Sequence, residues 1–305
     1  MTTTAASGTL PLRALGPLAL TMLIWGSTWT VIRYQLGVVD PAWSTAYRFA
    51  IAALAMVLLA RWQGASLRIR RSDLPLLAAI GLAQFSLNYL FIYHAEAHVT
   101  SGLVAMIVTL LIIPNALLGW LFLGQRFSRN FALGSLISLA GMLLLFRQEI
   151  VAASSGGGRA ALGIALALCG MLAASAGNLL QSGRRAARLH WSTLLFWSMT
   201  AGAIINALLA LVLAGPPAFD PRPAYILSLL YLALFGSTIT FPIYLSAMRQ
   251  IGPGRAAYAG VMTPVVAMIF STVLEGYRWS GSAIAGSLLA LAGLVVALKA
   301  RSPAS

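Results

Sequence analysis

Ten runs of mainly apolar residues, each about 20 long, take up nearly the whole chain, and they decide its solvent before any other feature does. The runs lie at 15–35, 41–61, 74–93, 101–123, 130–146, 160–182, 191–213, 224–246, 255–275 and 280–299. A bilayer core is about 30 Å thick and takes about 20 apolar residues per helix, so each run is long enough to span it. Charged residues make up only 9% of the 305, against roughly 25% in soluble proteins. The expected fold class is an all-α membrane protein with ten transmembrane helices. No short apolar core followed by a cleavage site opens the chain, so the first run is read as a retained span. Cys169 is the lone cysteine and sits inside a run; it reads as a small buried hydrophobe.

The net charge of +14 raises the question of nucleic acid as a partner. Basic residues are scattered between the runs instead of forming one stripe, which argues against it. With ten spans and a cytoplasmic N-terminus, fourteen Lys and Arg fall on the cytoplasmic side and five on the outer side, while Arg48 stands inside span two. That bias places both termini in the cytoplasm.

The chain also repeats itself. Shifted by 152 positions, residues 102–146 lie over 254–298, and nine of the eighteen positions 124–141 are identical in the copy. The matches include Gly124, Arg126 and Ser128 with Gly276, Arg278 and Ser280, and Gly134-Ser135-Leu136 with Gly286-Ser287-Leu288. Each half holds five spans, an odd number, so the second copy enters the membrane upside down. The domains are therefore a first repeat at 15–146 and a second at 160–299, inverted relative to each other. Inverted repeats are the build of many secondary transporters, whose site lies near the midplane between the halves.

Catalytic groups are hard to find. Asp40, Asp73 and Asp220 read as loop residues, and no glycine-rich nucleotide motif occurs, so neither an enzyme nor a primary pump is expected. His94 and His98 flank Glu96 at a spacing that puts both imidazoles on one helical face, but a polar loop between spans three and four is the simpler reading, and no metal or cofactor is expected. Arg48 lies about 10 Å below the outer surface at 1.5 Å per residue. It could attract a carboxylate or act as a structural pin, and the pin is the favoured reading.

Uncharged polar and aromatic groups inside spans must face other helices or water, because an unpaired amide or hydroxyl in hydrocarbon costs several kcal/mol. Span one carries Trp25, Thr28 and Trp29; span three carries Gln84, Asn88, Tyr89 and Tyr93. Span six carries Asn178 and Gln181, and span eight carries Ser237, Thr238, Thr240 and Tyr244. Pro114, Pro242 and Pro264 fall inside spans four, eight and nine, where a proline frees a carbonyl and permits a kink. Spans five and ten hold almost no polar groups but carry Gly134, Gly141, Gly286 and Gly293, small-residue faces suited to close packing or to a homodimer.

These residues resemble a known family. Trp25-Gly26-Ser27-Thr28-Trp29, Ala46-Tyr47-Arg48-Phe49 and Leu123 to Ser128 are similar to a first EamA domain; Pro264 and Glu275 to Ser280 are similar to a second. The resemblance is to the drug/metabolite transporter superfamily of ten-span type. It implies a central cavity lined mainly by spans one, three, four, six, eight and nine, with spans five and ten peripheral. It further implies a bacterial inner-membrane exporter of amino acids, purines or other metabolites and drugs, some driven by protons and some acting as facilitators. Gln125 stands where the family commonly has Glu, which leaves Glu275 as the main span-end carboxylate for coupling. The resulting expectation is an alternating-access exporter of amino acids, aromatic ones included, or similar amphipathic metabolites. The alternatives are a passive facilitator or a multidrug or purine efflux protein. The expected contacts are Trp25, Thr28, Trp29, Asn88, Tyr89, Tyr93, Asn178, Gln181, Thr240 and Tyr244.

Overall fold

The computed structural model describes residues 12–99, 101–125, 128–145, 147–154, 157–251, 256, 258–274 and 279–298. Among them the regular elements are helical, with no strand. The first half holds α1 (Leu12–Arg33), α2 (Pro41–Trp62), α3 (Leu74–Leu82), α4 (Asn88–Glu96), α5 (Ser101–Thr109), α6 (Ile112–Leu123), α7 (Arg129–Leu145) and α8 (Arg147–Ser154). The second holds α9 (Gly157–Ser182), α10 (Arg184–Ala187), α11 (Trp191–Leu213), α12 (Pro223–Ala233), α13 (Thr240–Ile251), α14 (Tyr258–Leu274) and α15 (Gly281–Leu298). Six stretches are long and apolar enough to cross a membrane: Pro41–Trp62, Arg71–Glu96, Leu103–Leu123, Gly157–Ser182, Trp191–Leu213 and Pro223–Gln250. Arg129–Leu145 and Gly281–Ala297 are shorter apolar helices.

The exterior is apolar. Leu54 and Leu58 on α2, Leu208 and Val212 on α11, and Leu136 and Leu288 on α7 and α15 all stand exposed. Contiguous apolar surface of that kind suits lipid and not water. Cys169 stands exposed too, against the expectation of burial. The buried stripe of α9 runs through Gly163, Ala167, Gly170, Ala174 and Asn178 at helical spacing, and Cys169 falls off that stripe.

Inside the bundle, α2 packs along α11, α1 along α14, α4 along α9, and α7 along α15. The last pair places the two glycine faces against each other. A Cβ on Gly141 would stand 2.7 Å from the Gly286 carbonyl oxygen, and one on Gly134 would stand 2.6 Å from that of Gly293. The Ser138 hydroxyl donates to the Ala290 carbonyl at 3.2 Å across the same seam. The faces expected to serve close packing or a homodimer are thus filled within one chain, so a second copy would have to meet the outward sides of these helices.

Two spans widen in the middle. Ala83–Leu87, between α3 and α4, and Leu234–Ile239, between α12 and α13, are π-helical and begin about 150 positions apart, near the shift of the repeat. A π turn frees carbonyls from the i−4 ladder. Here the Ser237 and Thr238 hydroxyls donate to the carbonyls of Leu232 and Ala233, five residues back, at 3.0 and 2.9 Å. The Asn206 amide of α11 donates to the Phe85 carbonyl at 2.9 Å. Pro242 follows the second π turn closely, in keeping with its missing N–H. The first π turn has no proline, so proline is not the common cause. Pro114 sits three residues past the break at Leu111 that separates α5 from α6, whereas Pro264 lies within an uninterrupted α14.

The loop 214–222 is clipped to the start of α2. Trp43 Nε1 donates to the Gly215 carbonyl at 3.2 Å, and the Tyr47 hydroxyl donates to that of Ala218 at 2.8 Å. The Arg222 guanidinium donates to Asp220 at 2.7 Å, and this bond holds the Asp220 carboxyl below its ordinary range. A depressed carboxyl contributes stability that is present above its unfolded value and lost as pH falls through its folded one. Asp220→Asn is therefore expected to melt slightly below the unsubstituted protein near neutral pH, with the gap closing as pH drops below about 4. A gap that stays constant with pH in paired thermal melts would remove the ion pair from this role.

Candidate functional site

A cavity of about 110 Å³ lies between the halves of the chain, several-fold more than the roughly 10–15 Å³ that holds one water. Its wall comes from α1, α2, the first π turn with α4, α5, α9, α13 and α14; the described residues of α7 and α15 take no part. Seven of the ten expected contact residues line it: Trp25, Thr28, Trp29, Asn88, Tyr89, Asn178 and Tyr244.

One side of the wall is an aromatic cluster braced by hydrogen bonds between distant spans. The Trp25 ring lies 5.0 Å from Tyr244 and 5.7 Å from Phe241 between centroids. Trp25 Nε1 donates to the carbonyl of Gly236, in the second π turn, at 3.2 Å. The Asn178 amide donates to the Tyr244 hydroxyl at 3.4 Å, joining α9 to α13. Thr28 donates its own proton to the Trp25 carbonyl at 2.7 Å and so offers the cavity an acceptor oxygen. Trp29 Nε1 is buried with no hydrogen-bond partner, an open donor on the wall.

The other three expected residues stand behind the wall. Tyr93 is fully buried and donates to Gln35 at 2.7 Å, where it ties α4 to the end of α1. Gln181 reaches the cavity only through Gln84, whose side-chain oxygen accepts its amide at 3.4 Å. Thr240 donates to the Gly236 carbonyl at 2.7 Å and has no exposed surface. Pro114, Pro242 and Pro264 are also absent from the wall; Pro242 faces an outward apolar groove with Leu58 and Trp62. Glu275 lies outside the described residues. Among the described residues, no group of three or more His, Cys, Asp or Glu is placed to hold a metal.

Arg48 is the residue that the favoured pin reading undervalued. It is 1% exposed and lines the cavity as the wall's single formal charge. Its Nε donates to Ser237 at 3.1 Å, and its guanidinium lies 4.5 Å from the centre of the Tyr89 ring. The pin is real, since it locks α2 to the second π turn, but the charge faces the cavity as well. A lone basic residue inside a span was the available signal.

A bundle that turns apolar faces outward and keeps its amides, indoles and one cation around an internal cavity is a multi-pass membrane protein with an interior binding site. The kind of membrane protein follows from comparison. The EamA-like transporter family model matches residues 14–147 and again 161–299, and the chain belongs to that family.

Several curated relatives align over most of their length. The chain is 25% identical to a probable terminal-alkyne amino-acid exporter of Streptantibioticus cattleyicolor, covering 93% of each. It is 25% identical to a probable amino-acid metabolite efflux pump of Salmonella typhimurium, over 91% of this chain and 92% of that one. It is 29% identical to the uncharacterized inner membrane transporter YedA of Escherichia coli, over 86% of this chain and 82% of that one. A solved crystal structure shares the fold at 19% identity, with a TM-score of 0.75 over 95% of this chain and 98% of that chain.

Proposed function

We propose that this protein is an inner-membrane secondary transporter that exports amino acids, aromatic ones included, or similar small amphipathic metabolites by alternating access. The observation that carries this reading is the cavity itself, in which aromatic faces and a few amides from both halves surround one space. Such a wall suits a ligand with an apolar body and a polar head. The names of the Streptantibioticus and Salmonella relatives add support for amino-acid cargo.

Ten spans in two inverted repeats are part of the proposal. The pairing of elements supports it, because exchanging first-half spans for their second-half counterparts leaves α2–α11 and α7–α15 unchanged and turns α1–α14 into a pair between α9 and span four. The packing of α9 on α5 and α6 matches that exchange. Positive loop charges support cytoplasmic termini. On that topology the Tyr93–Gln35 bond and the 2.6 Å bond between Ser27 and Tyr231 close the outer half around α1, and outward opening would break them.

Purified protein in liposomes, tested against a panel of amino acids and nucleobases with and without a pH gradient, decides the matter. Saturable amino-acid transport is the expected result. Nucleobase transport alone would replace the cargo, and non-saturating flux indifferent to the gradient would favour a passive facilitator.

A further inference from the structure

Arg48 is buried with its charge uncompensated. Among the described residues no carboxylate stands within ion-pairing distance, and the wall of the cavity holds no Asp or Glu. Ser237 takes the Nε edge, and Nη1 is buried without an acceptor. Gly236 keeps space beside the other nitrogen, since a Cβ there would stand 3.3 Å from Nη2. The end of the guanidinium that remains is the Nη1–Nη2 fork, the part that a carboxylate accepts with both oxygens. A ring face at 4.5 Å lowers the cost of the buried cation but supplies no acceptor for these protons.

Building on the proposed amino-acid export, we infer that the recognised group of the cargo is its carboxylate, held by the Nη1–Nη2 fork of Arg48, and that the α-ammonium is dispensable. A carboxylate entering the cavity relieves an existing buried charge. An ammonium meets only neutral oxygens and ring faces, and a cargo carrying ammonium alone would add a second cation beside Arg48. The carboxylate is thus required, and the apolar body is left to Trp25, Tyr244 and Phe241.

Isothermal titration of the purified full-length protein with phenylalanine, 3-phenylpropionate, phenethylamine and phenylalaninamide tests this on the unsubstituted chain. The two acids are expected to bind within about threefold of each other, and the amine and amide at least about tenfold more weakly, as befits loss of a charge-assisted contact. Arg48→Gln should erase the preference for acids and Arg48→Lys should keep part of it; if neither variant folds, the four-compound comparison stands alone. Amine or amide binding as tight as acid binding would overturn the inference and leave amino-acid export standing. Binding of 3-phenylpropionate without phenylalanine would uphold the carboxylate fork and count against amino acids as cargo. Failure of all four to bind would overturn the inference, while export would still be judged by the liposome panel, which uses other compounds.

Discussion

Gly141→Val and Gly286→Val are each expected to reduce folded protein in the membrane sharply, with the melting temperature of any recovered protein falling by roughly 5–10 °C. The reason is the kind of atom each new side chain would meet. At Gly141 an added Cβ would stand 2.7 Å from the Gly286 oxygen and 2.9 Å from the Ala290 Cα; at Gly286 it would stand 2.6 Å from the Gly141 oxygen and 2.7 Å from the Leu145 Cα. All four are backbone atoms, so no rotamer change makes room, and the helices must part. Without a hydrophobic drive between helices in lipid, close packing and short polar contacts are what hold them together, and separation removes both. Leu136→Ala, on the exposed side of α7, is the control and should melt unchanged. Detergent melts of the three variants suffice; equal stability in all of them would mean that the glycine seam does not hold α7 to α15.

Trp29→Phe is expected to cut transport by about tenfold or more while leaving stability unchanged or slightly higher. The two readouts move apart because the Trp29 indole N–H is buried on the cavity wall with no acceptor in the protein. An unmade buried hydrogen bond already costs the folded state about 1–3 kcal/mol, so deleting the donor removes a penalty and not a contact. A cargo that supplies the acceptor loses a bond when the donor is gone. Asn88→Ala should behave similarly: Asn88 lines the cavity half-buried, and its amide is open to the space. Uptake in liposomes beside thermal melts of the same preparations gives the comparison. Full transport by Trp29→Phe would show that the open N–H serves no cargo.

Much of the site could be read along the chain. Asn178 and Tyr244 stand 66 positions apart and both stood out as polar groups inside apolar runs, which is a property of each residue alone. Their hydrogen bond is not. Tyr89 and Tyr93 share a helical face by spacing, yet one residue meets the cavity and the other meets Gln35, because four residues advance a side chain about 6 Å along the axis. Thr240 and Tyr244 also share a face by counting, but the first position is spent on the Gly236 carbonyl at the edge of a π turn. The 3.6-residue count loses its phase across such a turn, and no residue pattern common to Ala83–Leu87 and Leu234–Ile239 announces it. Cys169 was misjudged for a related reason: an apolar run does not say which side of it faces lipid.

The sequence by itself determined the solvent of this chain, its duplicated halves, its family and the short set of side chains too polar to face hydrocarbon. Those follow from transfer free energies and local periodicity, which each residue carries wherever the chain goes. Only the tertiary structure decided that the glycine faces meet each other, that three of the ten expected contacts stand behind the wall, and that Arg48 turns an unfilled fork toward the cavity. Those depend on which of several equally apolar helices lies alongside. Among such helices the choice rests on shape and on hydrogen bonds between residues far apart in the chain, which no single stretch encodes.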